Sequence, residues 1–336
     1  MKIGVIGAGS WGTALAILLS QKGLQVSLWV RNAGLLKEIS SSRLNSNYLP
    51  DILIPENIKL TNKLEEAAGG KNLVVLAVPS HAVGAIVQKV KNLIGKQTIV
   101  VNTAKGLAEG SLKRLSQVIA AKLAPRGKVA VLSGPNHAEE VSRLVPTASV
   151  AASVEQAVAE EVQDIFMAPS FRVYTNPDLV GVELGGALKN IIAIGAGVCD
   201  GLDYGDNTKA ALLTRGLVEI TRLGVALGAR KGTFSGLTGL GDLFVTCTSP
   251  HSRNRYLGTM LARNHSLAEI TSTMKMVAEG IRATRIAYQL SRDYNVEMPI
   301  TEEVHALLFC GKNPRAAVKD LMLRQKTHEI EEIAFD

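Results

Sequence analysis

The chain has 336 residues, 46% apolar and 20% charged, which is enough for two ordinary domains with substantial cores and too apolar for a disordered chain. Aromatic residues make up only 4%, which argues against a base-stacking nucleic-acid binder. The net charge of +7 is interspersed with acidic residues and forms no basic block, so cationic pockets for a small phosphorylated ligand fit it as well as any polyanion partner.

The apolar start, Ile3 to Leu19, resembles a signal peptide at first sight, but its glycines, Ser10 and Thr13, with no cleavage site after them, predict a strand followed by a helix. Further buried strands are predicted at 25–30, 72–80, 98–106 and 128–135, with helical segments between most of them. Near-continuous apolar strands separated by helices imply a parallel sheet covered on both faces. Residues 146–153 and 171–176 extend that sheet. After Asn176-Pro177-Asp178 the strand pattern stops, and helical patterns follow at 179–198, 207–228, 252–263, 277–295, 301–310 and 314–325. The expected architecture is therefore a doubly wound α/β domain of Rossmann type with a mainly parallel sheet over residues 1–178. An all-α domain over 179–336 follows it. No stretch reads as apolar enough for a membrane span.

Cys199, Cys247 and Cys310 are far apart with no C-x-x-C, which favours a reducing, cytoplasmic setting over a structural zinc site. Six scattered histidines show no H-x-x-x-H pairing, so no metal centre is expected.

Gly7-Ala8-Gly9-Ser10-Trp11-Gly12 has the G-x-G-x-x-G spacing, follows the first strand and opens the first helix. Gly7 permits the tight turn, Gly9 lets the backbone approach a pyrophosphate, and Gly12 lets helix and strand pack closely. The bland alternative is a structural turn; the strand-turn-helix context favours dinucleotide binding. An NAD binder usually carries a carboxylate at the end of the second strand. Here that strand ends Val30-Arg31-Asn32, and the first carboxylate in the chain is Glu38. Arg31 suits the 2′-phosphate of NADP, so NADP(H) is the expected cofactor and NAD(H) the second choice, unless Arg31 is only a solvated strand end.

In the second half, Lys189 sits inside the apolar, glycine-rich stretch VGVELGGALKNIIAIGAGVCDG at 180–201, beside Asn190. On a helix its side chain leans back over Gly185 and Gly186, which predicts an open groove along which the lysine runs, at a cost of about 1 kcal/mol of helix propensity per glycine. The alternatives are glycines that admit another helix and a lysine that snorkels to the surface. Further on, Gly236, Gly239 and Gly241 predict a mobile or close-approach loop ending at Asp242. Ser252-Arg253-Asn254-Arg255 then opens a helix whose hydroxyl, guanidinium, amide and backbone N–H groups suit a phosphate dianion. A simply capped helix with solvated arginines is the other reading.

The chain resembles the bacterial-type NAD(P)-dependent sn-glycerol-3-phosphate dehydrogenases over almost its full length. The matching segments are GAGSWGTALA (7–16), NTAKGL (102–107), SGPNHAEE (133–140), FRVYTNPDLVGVELGGALKNIIAIGAG (171–197), GLGDLFVTCTSPHSRNR (239–255), VAEG (277–280) and EMPITEEV (297–304). The resemblance implies reversible hydride transfer between NAD(P)H and C2 of dihydroxyacetone phosphate, giving sn-glycerol 3-phosphate for phospholipid synthesis. It also implies a helical domain like the C-terminal one of 6-phosphogluconate dehydrogenases, and a homodimer.

Carried over residue by residue, Lys189 falls on the family's acid/base position, Asp242 on a position near it and the substrate hydroxyls, and Lys105 on one touching substrate and cofactor. Gly134, Asn136, Asn190, Ser252, Arg253 and Asn254 are the further substrate candidates. Ser10, Trp11, Arg31, Ala138, Arg253, Val277 and Glu279 fall on cofactor positions. Asn136 stands where the family commonly has Ser or Thr, and Arg31 is followed by Asn rather than a second cation; both are departures from the pattern. A β-hydroxyacid or 6-phosphogluconate type dehydrogenase shares the domain pair and the helix lysine and is the neighbouring alternative; the SRNR segment after GLGD favours the glycerol phosphate reading. A non-catalytic NADP-sensing protein is the alternative from another class.

Overall fold

The computed structural model describes residues 1–274, 278–326 and 328–329. The first half runs β1 (Lys2–Ile6), α1 (Ser10–Gln21), β2 (Gln25–Trp29), α2 (Ala33–Ser42), β3 (Leu44–Asn45), β4 (Leu49–Leu53), β5 (Lys59–Thr61), α3 (Leu64–Ala68) and β6 (Leu73–Leu76). It continues with α4 (Ser80–Val90), β7 (Ile99–Asn102), α5 (Leu115–Leu123), β8 (Lys128–Ser133), α6 (Ala138–Val141), β9 (Thr147–Ser153), α7 (Gln156–Phe166) and β10 (Phe171–Asn176). Eight strands form one sheet in the order β10-β9-β8-β7-β6-β1-β2-β5, and β3 pairs with β4 apart from it.

Within the sheet only β8 and β9 pair antiparallel; all other neighbours are parallel. The link between β8 and β9 holds only the short α6, whereas a parallel crossover usually carries a full helix. The chain leaves β1 toward β2 on one side and returns to β6 on the other. The switch point of the sheet thus lies at the carboxyl ends of β1 and β6, where doubly wound folds hold ligands. Gly7 follows β1 there with φ +118°, and a Cβ on it would sit 2.4 Å from the Ala77 carbonyl oxygen, so only glycine closes this turn against the chain after β6.

The second half is helical: α8 (Leu179–Gly201), α9 (Asp206–Ala226), α10 (Asp242–Thr248), α11 (Arg253–Ala262), α12 (Leu267–Thr273), α13 (Glu279–Asp293), α14 (Pro299–Phe309) and α15 (Pro314–Met322). Val277, and with it the start of the helix expected at 277–295, lies outside the described residues. Asp178 caps α8 by accepting the Gly181 N–H at 2.9 Å, and its other oxygen accepts the Arg230 N–H at 2.8 Å and the Thr233 hydroxyl at 2.6 Å.

The expectation that nothing is apolar enough to span a membrane fails on α8. An 18-residue window within its 23 residues reaches a mean hydropathy of 1.5, which qualifies by length and composition. However, 94% of that window is buried inside the protein, with Leu184, Leu188, Ile191 and Ile194 in the helical core. An apolar helix surrounded by other helices needs no bilayer. Of the mobile or close-approach loop expected at 236–241, close approach holds at Gly239, where a Cβ would sit 2.0 Å from the Phe234 carbonyl oxygen, but the segment is a π-helical turn, Leu237–Gly241, that runs directly into α10.

The two halves interlock. After β7 the chain makes an excursion over residues 103–114, in which Leu107 is buried in the helical core and Leu112 packs against it. Glu109 pairs with Arg282 at 3.3 Å and Arg285 at 3.2 Å on α13. Arg114 and Ser116 bind Glu183 on α8.

Candidate active site

A cleft of about 500 Å³ opens at the switch point, lined by both halves of the chain. On its sheet side, Gly9 precedes the first turn of α1, which has no side-chain cap, and a Cβ on Gly9 would meet nothing within 4 Å. Gly12 sits behind it, where a Cβ would be 1.8 Å from the Gly7 carbonyl oxygen. The amide end of α1 therefore faces open space, and a pyrophosphate fits there. Trp11 packs against the sheet core and its buried Nε1 has no partner among the described residues. Arg31, at the carboxyl end of β2, is exposed on the cleft rim and makes no ion pair among the described residues. Asn32 is occupied in capping α2, with Oδ1 accepting the Leu35 N–H at 2.9 Å. A free guanidinium without a nearby carboxylate fits a 2′-phosphate.

Lys189, on α8, is 4% exposed, and its Nζ donates to Asp242 Oδ1 and, at 2.6 Å, to Thr246 Oγ1. Thr246 in turn donates to the Asp242 carbonyl at 2.6 Å. One turn of α10 thus holds the lysine from both sides, since residues spaced by four share a helix face. Lys105 Nζ donates to the Gly134 carbonyl at 2.7 Å and to Asn136 Oδ1 at 2.8 Å, and lies 3.0 Å from Asp242 Oδ2 as an ion pair. Asp242, 1% exposed, is shared between the two ammonium groups. Burial pushes the Lys189 pKa down to about 7; Asp242 pulls it back up and Lys105 pushes it further down. An ammonium has three N–H groups, and the described residues answer two of them.

The glycines before Lys189 do not form the expected open groove. A Cβ on Gly185 would sit 2.5 Å from the Thr238 carbonyl oxygen, and one on Gly186 would sit 2.7 Å from Ser133 Oγ and 3.6 Å from Lys105. They admit close neighbours, so the simpler explanation of these glycines holds, with the π-helical turn in place of a further helix.

Asn136 lines the cleft with its amide engaged within the protein. Its Nδ2 donates to Ser149 Oγ at 2.9 Å while Oδ1 holds Lys105, so the amide braces the lysine. Asn190 Nδ2 donates to the Lys105 carbonyl at 3.2 Å, and its Oδ1 accepts from Asn254 Nδ2 at 2.8 Å. Asn254 Oδ1 accepts the Gly280 N–H at 3.0 Å. Both asparagines reach the cleft wall but serve as ties among α8, α11, α13 and the excursion. Ser252 caps α11, with Oγ accepting the Arg255 N–H at 3.3 Å, and Arg253 follows it on the cleft wall. Glu279 lines the cleft with both oxygens engaged, one accepting the Ser80 N–H at 2.8 Å and the other its hydroxyl at 2.5 Å. Ala138 lines the cleft by its backbone turn while its side chain joins the sheet core.

Sequence reasoning missed Thr246, Ser80, His137 and His251. Thr246 carried a signal, the four-residue spacing from Asp242; Ser80 and the histidines carried none.

The arrangement has counterparts in known proteins. The family models of the NAD-dependent glycerol-3-phosphate dehydrogenase N-terminus and C-terminus match residues 2–159 and 178–319. NAD(P)+ glycerol-3-phosphate dehydrogenases of Pelotomaculum thermopropionicum and Bacillus subtilis are 54% and 48% identical, each over 99% of this chain and over 96% and 97% of their own. The crystal structure of glycerol-3-phosphate dehydrogenase from Coxiella burnetii matches with a TM-score of 0.92 at 38% identity, covering 96% of this chain and 99% of that one. With both halves matched by one family and relatives alike from end to end, the chain belongs to the NAD-dependent glycerol-3-phosphate dehydrogenases.

Proposed function

We propose that the protein catalyses reversible hydride transfer between NAD(P)H, with NADP(H) preferred, and C2 of dihydroxyacetone phosphate, giving sn-glycerol 3-phosphate for glycerophospholipid synthesis. The observation that carries this reading is the buried Lys189, held by Asp242 and Thr246, in the cleft that also contains the uncapped end of α1. When bound, the nicotinamide supplies or accepts the hydride.

Lys189 handles the accompanying proton. With its pKa near 7 both of its forms are within reach at neutral pH. The ammonium, through its third N–H, stabilises and protonates an alkoxide in the reducing direction, and the neutral amine takes the hydroxyl proton in the other. Asp242 keeps Lys189 and Lys105 close together, so two cations face a substrate that carries a phosphate and develops negative charge at oxygen. Ser252 and Arg253 offer the phosphate a helix N-terminus and a guanidinium. Arg31 takes the 2′-phosphate.

Residues 1–178 form the nucleotide domain and 179–336 the helical substrate domain, with Lys105 and Glu279 placed where the two meet. The unpaired cysteines support a cytoplasmic setting, and a homodimer carries over from the resemblance to the family. Sedimentation of the purified protein tests the dimer.

The test of the reaction is a steady-state assay of dihydroxyacetone phosphate reduction with NADPH and NADH side by side. The expected result is turnover with both and a higher kcat/KM with NADPH. Equal efficiencies would remove the cofactor preference. Turnover of a hydroxy acid, with none of dihydroxyacetone phosphate, would overturn the substrate assignment.

A further inference from the structure

We propose that His137 is a further substrate contact, its Nε2 hydrogen-bonding an oxygen of the phosphorylated substrate from the cleft wall; this rests on the cleft reading above. His137 lines the cleft with Lys105, Lys189 and His251, and its Nε2 is buried with no hydrogen-bond partner among the described residues. A buried ring nitrogen left unpaired is unfavourable, and atoms of this kind mark places where a ligand or water completes the site. The neighbouring polar groups give it no partner. Lys105 is engaged by Gly134, Asn136 and Asp242, Asn136 by Lys105 and Ser149, and Asn254 by Asn190 and Gly280.

The backbone that carries the ring is anchored on both sides. Asn136 before it is tied to Lys105 and Ser149, and Ala138 after it is packed in the sheet core. The His137 carbonyl accepts the Glu140 and Val141 N–H groups at 3.2 and 3.0 Å. The charged and titratable groups that act on the ring are Lys189, Lys105, Asp242 and His251, the last with its ring centroid 6.0 Å away. Burial, followed by the two ammonium groups, pushes the imidazole pKa down to about 4, so the ring is neutral at physiological pH. A neutral imidazole adds no third cation to the two lysines. Its nitrogen donates or accepts according to tautomer, which suits a ligand bearing both hydroxyl and phosphate oxygens.

The test compares His137→Phe, which keeps the ring volume without the nitrogen, with His137→Gln, which restores a hydrogen-bonding group. His137→Phe is expected to raise the KM for dihydroxyacetone phosphate about tenfold, with the KM for NADPH and the thermal midpoint close to wild type; His137→Gln is expected to recover most of the loss. A His137→Phe enzyme with an unchanged triose phosphate KM would overturn the proposal. So would parallel losses in thermal stability and in both KM values, which would mark the ring as packing alone. A wild-type protein without activity on dihydroxyacetone phosphate would overturn both this proposal and the reaction on which it rests.

Discussion

Helix α8 carries two buried charges, Glu183 and Lys189, fewer than two turns apart, and the protein treats them in opposite ways. Glu183 accepts the Ser116 N–H at 2.8 Å, the Ser116 hydroxyl at 2.5 Å and an Arg114 guanidinium N–H at 2.7 Å, all from the start of α5. Burial pushes its carboxyl pKa up, and the donors on Ser116 and Arg114 oppose that. Both of its oxygens are answered within the protein, so it ties one half to the other. Lys189 is as deeply buried, yet among the described residues it has one N–H left over, and it lies on the cleft. Burial of charge alone does not make a group reactive; an unanswered valence that faces a cleft does.

Lys189→Ala would break the reactive side of this contrast. Turnover is expected to fall on the order of a thousandfold, with NADPH binding kept when followed by nucleotide fluorescence. Activity within a few-fold of wild type would remove the lysine from the chemistry.

Asp242→Asn comes next, with turnover lower by about a hundredfold and a displaced pH profile. Asp242 raises the Lys189 pKa, so removing its charge lowers that pKa below about 7. Triose phosphate reduction needs the ammonium and is lost as pH rises through this pKa, so its falling limb moves to lower pH. A limb that stays in place would show that Asp242 does not set the lysine.

Glu183→Ala addresses the tie. It leaves Arg114 and Ser116 without their acceptor and is expected to cost about 3 kcal/mol in urea unfolding, while turnover of the folded enzyme stays within about tenfold. Full stability with collapsed turnover would reverse the comparison. Arg31→Ala has the smallest expected effect, an increase of about tenfold in the KM for NADPH with that for NADH unchanged. Equal changes for both cofactors would take the 2′-phosphate away from Arg31.

The difference between the two regions also governs what can be read from sequence. The nucleotide turn is contiguous, so Gly7, Gly9 and Gly12 announce a backbone geometry that the strand before and the helix after them enforce. The long apolar strands are legible for the same reason. β3 and β5, two and three residues long, are too short to show a period, and β4 carries Pro50 and is largely exposed, so no apolar run marks it. Helix α10 is hidden by Gly239 and Gly241 before it and by its own Val245 and Thr residues, which favour strands. The reversal of β9 was readable in principle from the short link that precedes it. The proton-handling centre is assembled from four separate stretches around 105, 134–136, 189 and 242–246, and no local pattern records that Asn136 braces Lys105. The family resemblance supplied the list of residues; the supporting ties became visible only once the chain was folded.

The excursion at 103–114 bears on how such an enzyme can be recombined. A chain begun at 179 would lack Leu107, leaving a hole in the helical core that typically costs about 2–5 kcal/mol, and would lack the donors for Glu183. A chain ended at 178 would expose Leu107 and Leu112 to water. The module that travels with the helices therefore includes a piece of the nucleotide half. Grafting another Rossmann domain onto this helical half requires residues 103–114 to be kept or matched, Lys105 among them.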